Sequence, residues 1–299
     1  MLIILIVFSF LTGCTSKQDL AAKVNDEVIT KMELEVHFNI YKMVLEFMMV
    51  GPDFWTLETE DGKIKEDAMR EIVLQALIEE KLQMKEAEKK GIKANEEEIQ
   101  NRINEMKELS GGEENFKKHL QQHGFSEENI EDVIIRTIIL AKYRNSIISE
   151  LTITEENLRQ FFNENKESFI QLKTRHILVS TEEEAREIIE ELNEGKDFSE
   201  LAKQESIAPN AAMGGILNYF IMGQIINEYE EVAFSLEVEN ISEPVKTDDG
   251  YYIIQLMERI EEFEDLKGQV NAKYEDKKFS DKIEELKSKA DIKIYSEEE

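Results

Sequence analysis

Thr174-Arg175-His176-Ile177-Leu178-Val179 is the stretch on which the fold turns. It is an apolar, β-branched run with a single imidazole in its middle, and it reads as a strand. Working outward, four groups of landmarks follow it: Gly195-Lys196-Asp197-Phe198-Ser199-Glu200-Leu201-Ala202, then Met213-Gly214-Gly215-Ile216-Leu217, then Glu228-Tyr229-Glu230-Glu231-Val232-Ala233-Phe234-Ser235-Leu236, then Ile241-Ser242-Glu243-Pro244-Val245. Gly250-Tyr251-Tyr252-Ile253-Ile254 closes the set. Together they read as one strand-helix-helix-strand-helix-strand-strand module between Thr174 and Met257. A Gly-Gly turn or one apolar strand is common in isolation. The specificity lies in all the pieces standing in this order.

In that order the module resembles the parvulin (rotamase) family of peptidylprolyl isomerases. The resemblance implies an α+β fold, a parvulin domain made of a four-stranded antiparallel sheet with surrounding helices. Upstream, Ala21-Ala22-Lys23-Val24-Asn25-Asp26-Glu27-Val28-Ile29-Thr30 reads as two short strands around an Asn-Asp turn, with Thr30 and Glu33 opening a helix as a capping box. This opening resembles SurA-like and PrsA-like secretion chaperones, in which a C-terminal segment returns to the N-terminal helices. The parvulin domain is therefore expected as an insertion in a mostly α-helical chaperone domain. The expected division is 21–170 for the first part of the helical domain, 171–260 for the parvulin domain and 261–299 for the returning helix and strand.

Residue by residue, the resemblance makes His176 the strand imidazole of a catalytic cleft. It implies a proline pocket formed by Leu217, Ile225 and Tyr229, with Phe234 packing beneath. The family places a second His in the last strand and a Cys or Asp after the second helix, where this chain has Tyr252 and Ala208. A Tyr hydroxyl can donate to or accept from imidazole, so one reading keeps His176 oriented by Tyr252; the other makes it a core histidine. The Ala208 methyl offers neither charge nor hydrogen bond. Asp249 and Thr247 line the same cleft in the family and are candidates to compensate, though both are also ordinary turn residues. Gly215-Ile216-Leu217-Asn218 departs from the usual Gly-Asp-Leu-Gly, and the run Thr181-Glu182-Glu183-Glu184 carries no basic cluster that would read a phosphate.

The chemistry implied is prolyl cis-trans exchange. C–N resonance makes it slow, and twisting the bond removes that resonance. An apolar cleft that holds the proline ring while the preceding chain rotates favours the twisted state without transferring a proton. The substitutions at 208 and 252 predict an isomerase weak by family standards. The alternatives are a non-catalytic holdase with a degenerate parvulin module and an adhesive or structural surface lipoprotein.

Composition sets the outer limits. The chain has 299 residues, 41% of them hydrophobic, which suffices for more than one core. Lys and Arg number 36 against 65 Asp and Glu, and a formal net charge of −29 repels nucleic acid. The acids read as solvated helix faces. His119 and His123 lack the Glu of a zinc protease motif, and neither a phosphate-binding Gly-rich loop nor a nucleophile elbow is present, so no metal or cofactor is expected.

Residues 1–11 are almost wholly apolar but too short to span a bilayer, and 1–13 read as a signal peptide. Leu11-Thr12-Gly13-Cys14 resembles the lipobox of bacterial lipoproteins, which makes Cys14 the lipidated residue and 14–20 a linker. No Lys or Arg precedes the apolar run, a departure from the usual pattern. The expected location is the extracytoplasmic face of the cell membrane, held by a lipid anchor. The expected partners are unfolded or nascent secreted polypeptides containing X-Pro bonds.

Further helices are expected from Lys65 to Lys90, with Met69, Ile72, Val73, Ala76, Leu77 and Met84 as its stripe, from Asn95, Ser126 and Thr154, and from Glu264 to Lys289. The stretch Phe47 to Trp55 reads either as core or as an adaptable apolar contact for clients.

Overall fold

The computed structural model describes residues 19–47, 52–59, 61–122 and 126–295. Its described residues divide into two compact units: those up to Leu151 together with those from Lys277 on, and Thr152–Asp276.

In the first unit, β1 (Leu20–Val24) and β2 (Glu27–Thr30) form a hairpin whose turn places Asn25 at a φ of 54°, a left-handed conformation that Asn tolerates. β7 (Ile292–Ile294) pairs antiparallel with β1, giving the order β2-β1-β7. The Asn25 side chain accepts from the Asp291 N–H at 3.0 Å, which ties the hairpin turn to the residue before β7. The helices are α1 (Lys31–Phe47), α2 (Lys65–Lys89), α3 (Glu96–Leu109), α4 (Glu113–Gln122) and α5 (Glu127–Ser149). Thr30 accepts from the Glu33 N–H at 3.0 Å, and Asn95 forms a full capping box with Glu98.

α2 buries Val73, Leu74, Leu77, Ile78, Leu82 and Ala87, while Ile72 is 57% exposed and Ala76 also faces solvent. The expected stripe was therefore displaced by one residue at these two positions. Ile72 and Ala76 repeat at the helical period as Val73 and Leu77 do, and only the elements packed against α2, among them β1, β2, α1 and α5, select which row is covered. Gly91, at a φ of 69°, ends the helix in the left-handed conformation. Trp55 is buried edge-on against Phe38 and Phe54, so this residue serves the core; Met48 to Gly51 lie outside the described residues. Cys14, His123 and the side chain of His119 lie outside them too.

The second unit begins with α6 (Glu155–Glu164), capped by Thr154 with Asn157, and continues through β3 (Gln171–Val179), α7 (Glu182–Asn193), α8 (Phe198–Glu205), β4 (Ile216–Phe220), α9 (Asn227–Ser235), β5 (Val245–Thr247) and β6 (Gly250–Ile260). α10 (Phe263–Lys289) starts here, and Phe263, Leu266 and Val270 pack on Leu158, Phe162 and Phe169. The sheet is antiparallel throughout, in the order β4-β3-β6-β5, so the fold is α+β with the expected four-stranded sheet.

Strand alternation sorts the two faces. Ile177, Val179 and Ile253 meet Phe198, Leu201 and Ala185 of α7 and α8. Leu172, Ile254 and Leu256 meet Tyr229 and Ala233 of α9. Between Lys173↔Glu258 and Thr174↔Leu256 the register shifts by one residue, leaving Met257 unpaired. That bulge turns Arg259 to the α9 side, where its guanidinium donates to the carbonyls of Phe234 at 2.7 Å and Leu236 at 2.9 Å and closes the end of the helix. The acidic run after β3 is the first turn of α7, with Thr181 and Glu184 as a capping box.

Candidate active site

β3 carries His176 at its centre, and two glycines decide what lies over it. The His176 N–H donates to the carbonyl of Gly215 at 3.0 Å, and a Cβ on Gly215 would fall 2.0 Å from the His176 carbonyl oxygen. Gly214 and Gly215 both stand at a φ of 74°, so the Gly-Gly pair is required by backbone conformation and by close approach together. This turn delivers β4, and with it Leu217, to the edge of β3 opposite Thr174.

A buried polar chain joins β3 to α9. The Tyr229 hydroxyl is 2.8 Å from Thr174 Oγ1 and 3.2 Å from His176 Nδ1, with Tyr229 1% and His176 8% exposed. The rings of His176, Tyr229 and Tyr252 meet pairwise edge-to-face at 5.2 to 5.6 Å between centroids. The hydrogen-bond partner of the imidazole is therefore Tyr229, and Tyr252, which one reading of the sequence made that partner, meets the imidazole ring edge-to-face. The reason lies in the register. Tyr252 pairs with Leu178, two residues past His176, whereas α9 sets Tyr229 directly over the strand.

Burial pushes the His176 imidazole down to about 4, so the ring is neutral near pH 7. Asn210 opposes this shift weakly. Its Nδ2 donates to the Ile216 carbonyl at 3.1 Å, leaving a buried Oδ1 that favours a proton on the ring but makes no fully aligned hydrogen bond. Burial likewise raises the Tyr229 phenol, and burial followed by the Asp249 charge raises that of Tyr252. Both phenols remain protonated donors.

Leu217, Ile225, Phe234 and Tyr252 pack partly buried around the cluster of Leu172, Phe220, Tyr229 and Ile254, and Phe234 stands edge-on to Phe220. The sequence-derived pocket residues are thus brought together. Ala208 is buried, and its N–H donates to Ser206 Oγ, which also accepts from the Leu178 N–H and fastens this segment to the end of β3. Asp249 is exposed in the β5–β6 turn, its N–H donating to Thr247 Oγ1 at 3.2 Å, and it reaches the site through its field on Tyr252 alone. Thr174, Asn210 and Glu230 were not singled out by sequence reading. The signal for Thr174 was the Tyr229 hydroxyl, which on burial requires a partner. Among the described residues no group of three His, Cys, Asp or Glu is placed to hold a metal ion.

The arrangement offers apolar walls, an aromatic floor and neutral hydrogen-bonding groups. Residues 166–258 match the PPIC-type PPIASE domain, and residues 1–144 match the SurA-like N-terminal domain. A foldase protein PrsA of Caldanaerobacter subterraneus is 32% identical, over 96% of this chain and 92% of its own length. The chain belongs to the PrsA foldase family. Two solved structures are also similar to parts of this chain. The peptidylprolyl isomerase PrsA of Bacillus anthracis is 28% identical, matched over 72% of this chain and 94% of that one, with a TM-score of 0.38. NmPin, the parvulin of Nitrosopumilus maritimus, is 42% identical over 29% of this chain and 96% of its own, with a TM-score of 0.28. As a PrsA foldase with a PPIC-type domain, the chain is a peptidylprolyl isomerase of the parvulin type that assists the folding of secreted proteins.

Proposed function

We propose that X-Pro bonds of unfolded secreted polypeptides bind with the proline ring against Leu217, Ile225, Phe234 and Tyr252, over the buried Tyr229. The observation that carries this reading is the hydrogen-bonded chain Thr174–Tyr229–His176, which ends at an imidazole 8% exposed beside the partly buried Leu217, Ile225, Phe234 and Tyr252. A neutral His176 held from below by Tyr229 offers a fixed hydrogen-bonding edge to the amide as it turns. The ring-binding walls hold one side of the bond still. Such contacts accelerate exchange to the extent that they are stronger in the twisted state, about tenfold for each 1.36 kcal/mol. Ala208 contributes no polar contact, which supports a slower enzyme than one bearing Cys or Asp there.

The foldase is held at the extracytoplasmic face of the membrane by lipid on Cys14, with the apolar residues before it removed. The lipobox pattern Leu11-Thr12-Gly13-Cys14 supports this. Among the described residues no helix is long and apolar enough to cross a membrane. More than one acyl chain is needed for stable attachment, and a modified N-terminal cysteine supplies it.

NMR exchange spectroscopy on a short X-Pro peptide tests the catalytic reading. Catalytic amounts of the wild-type protein should accelerate cis-trans exchange, and H176F should remove most of the acceleration while leaving the fold intact. Wild-type protein that suppresses client aggregation but leaves exchange at the uncatalysed rate would establish a holdase instead.

A further inference from the structure

Glu230 is 4% exposed and stands one residue from Tyr229, and its carboxylate is turned to main chain. It accepts three consecutive main-chain N–H groups: Gly223 at 2.8 Å, Gln224 at 2.8 Å and Ile225 at 2.7 Å. Gln224 adds a second closure, its side-chain oxygen accepting from the Ile221 N–H at 3.0 Å. The connection between β4 and α9 is thereby folded around one buried carboxylate side chain. Hydrogen bonds to a charged acceptor are roughly twice as strong as neutral ones, and an ionised carboxylate is costly to bury without them.

The need for such a clasp follows from what Ile225 must do. A residue lining an open pocket has packing partners on one side only, so packing by itself cannot hold it. Ile225 is partly buried, and its neighbours Met222 and Ile226 are 44% and 41% exposed. Main-chain bonds to a buried carboxylate fix the loop without filling the cleft. We propose that Glu230 is a positioning residue for prolyl binding: it holds Ile225 as one wall of the pocket and does not touch the substrate. This rests on the reading of Ile225 as a pocket wall.

The test compares E230Q, E230D and I225A in the full chain with an X-Pro peptide. Gln keeps the shape but presents an amide N–H2 where an acceptor is needed, so the clasp loses at least one bond. KM should rise about tenfold with kcat within about twofold, because a wall that binds planar and twisted forms alike contributes uniform binding. E230D, charged but shorter, should fall between wild type and E230Q. The amides of Gly223, Gln224 and Ile225 should exchange with solvent about tenfold faster in E230Q, while those of His176 and Ile254 keep their protection. Faster exchange at 223–225 with KM unchanged would overturn the inference, as would a loss of activity that merely follows the fraction unfolded. If I225A leaves KM unchanged, the pocket reading fails. If I225A raises KM and E230Q does not, only the role of Glu230 fails. Should E230Q not fold, wild-type amides at 223–225 that exchange as fast as those of exposed loops would equally overturn it.

Discussion

The hydroxyl of Tyr229 stands 3.2 Å from Nδ1 of His176, although the two residues are 53 apart in sequence and lie on a helix and a strand. That hydroxyl also meets Thr174 Oγ1, so a single oxygen joins the imidazole to a threonine that is wholly buried. Where the parvulin resemblance implied a partner on the last strand, this chain draws one from the helix that covers the sheet.

Tyr229→Phe keeps the ring and removes the link. Thr174 is then left without this partner, and the fold should lose about 1–3 kcal/mol in urea unfolding. The exchange rate should fall about tenfold as His176 loses its orientation, the equivalent of about 1.4 kcal/mol in the barrier. Combining it with Thr174→Val removes both polar partners and should recover most of the stability but none of the rate.

Stability should depend on pH through His176. Its folded value of about 4 lies below the ordinary 6.5, so between those values the unfolded chain binds more protons than the folded one. Stability therefore rises with pH across this window and is fully present above about 6.5. Acidification toward pH 4 should remove up to about 3 kcal/mol. Urea midpoints of wild type and H176F from pH 3.5 to 7.5, taken as a difference, separate this contribution from that of the many carboxylates; parallel curves would show that the imidazole is not buried neutral.

Tyr143 is 0% exposed among Ala87, Ile147 and Ile283, and its hydroxyl finds no hydrogen-bond partner among the described residues. Burial pushes this phenol up to about 12. Tyr143→Phe relieves an unpaired buried donor and should stabilise the first unit by about 1 kcal/mol, read as a higher urea midpoint. A loss of stability would mean that the hydroxyl is satisfied by bound water.

Cys14→Ser tests the anchor separately from the enzyme. The variant should leave the membrane fraction for the soluble one while accelerating peptide exchange as wild type does. Retention in membranes after carbonate washing would show that attachment does not run through this thiol.

Local chemistry was legible in the chain. Thr154 with Asn157, Asn95 with Glu98, and Gly91 after α2 mark helix ends because capping and left-handed turns involve residues only a few positions apart. The order of strands and helices from Thr174 to Met257 was likewise readable, since period and punctuation belong to neighbouring residues. Tertiary structure alone decided which apolar row of α2 is covered, leaving Ile72 and Ala76 outside, because two rows with the same period differ only in what faces them. It also decided that the imidazole bonds to Tyr229 instead of Tyr252, and that the carboxylate of Glu230 closes on a loop. A side chain's hydrogen-bonding capacity is fixed by its type, but its partner is chosen by whichever groups burial brings within about 3 Å.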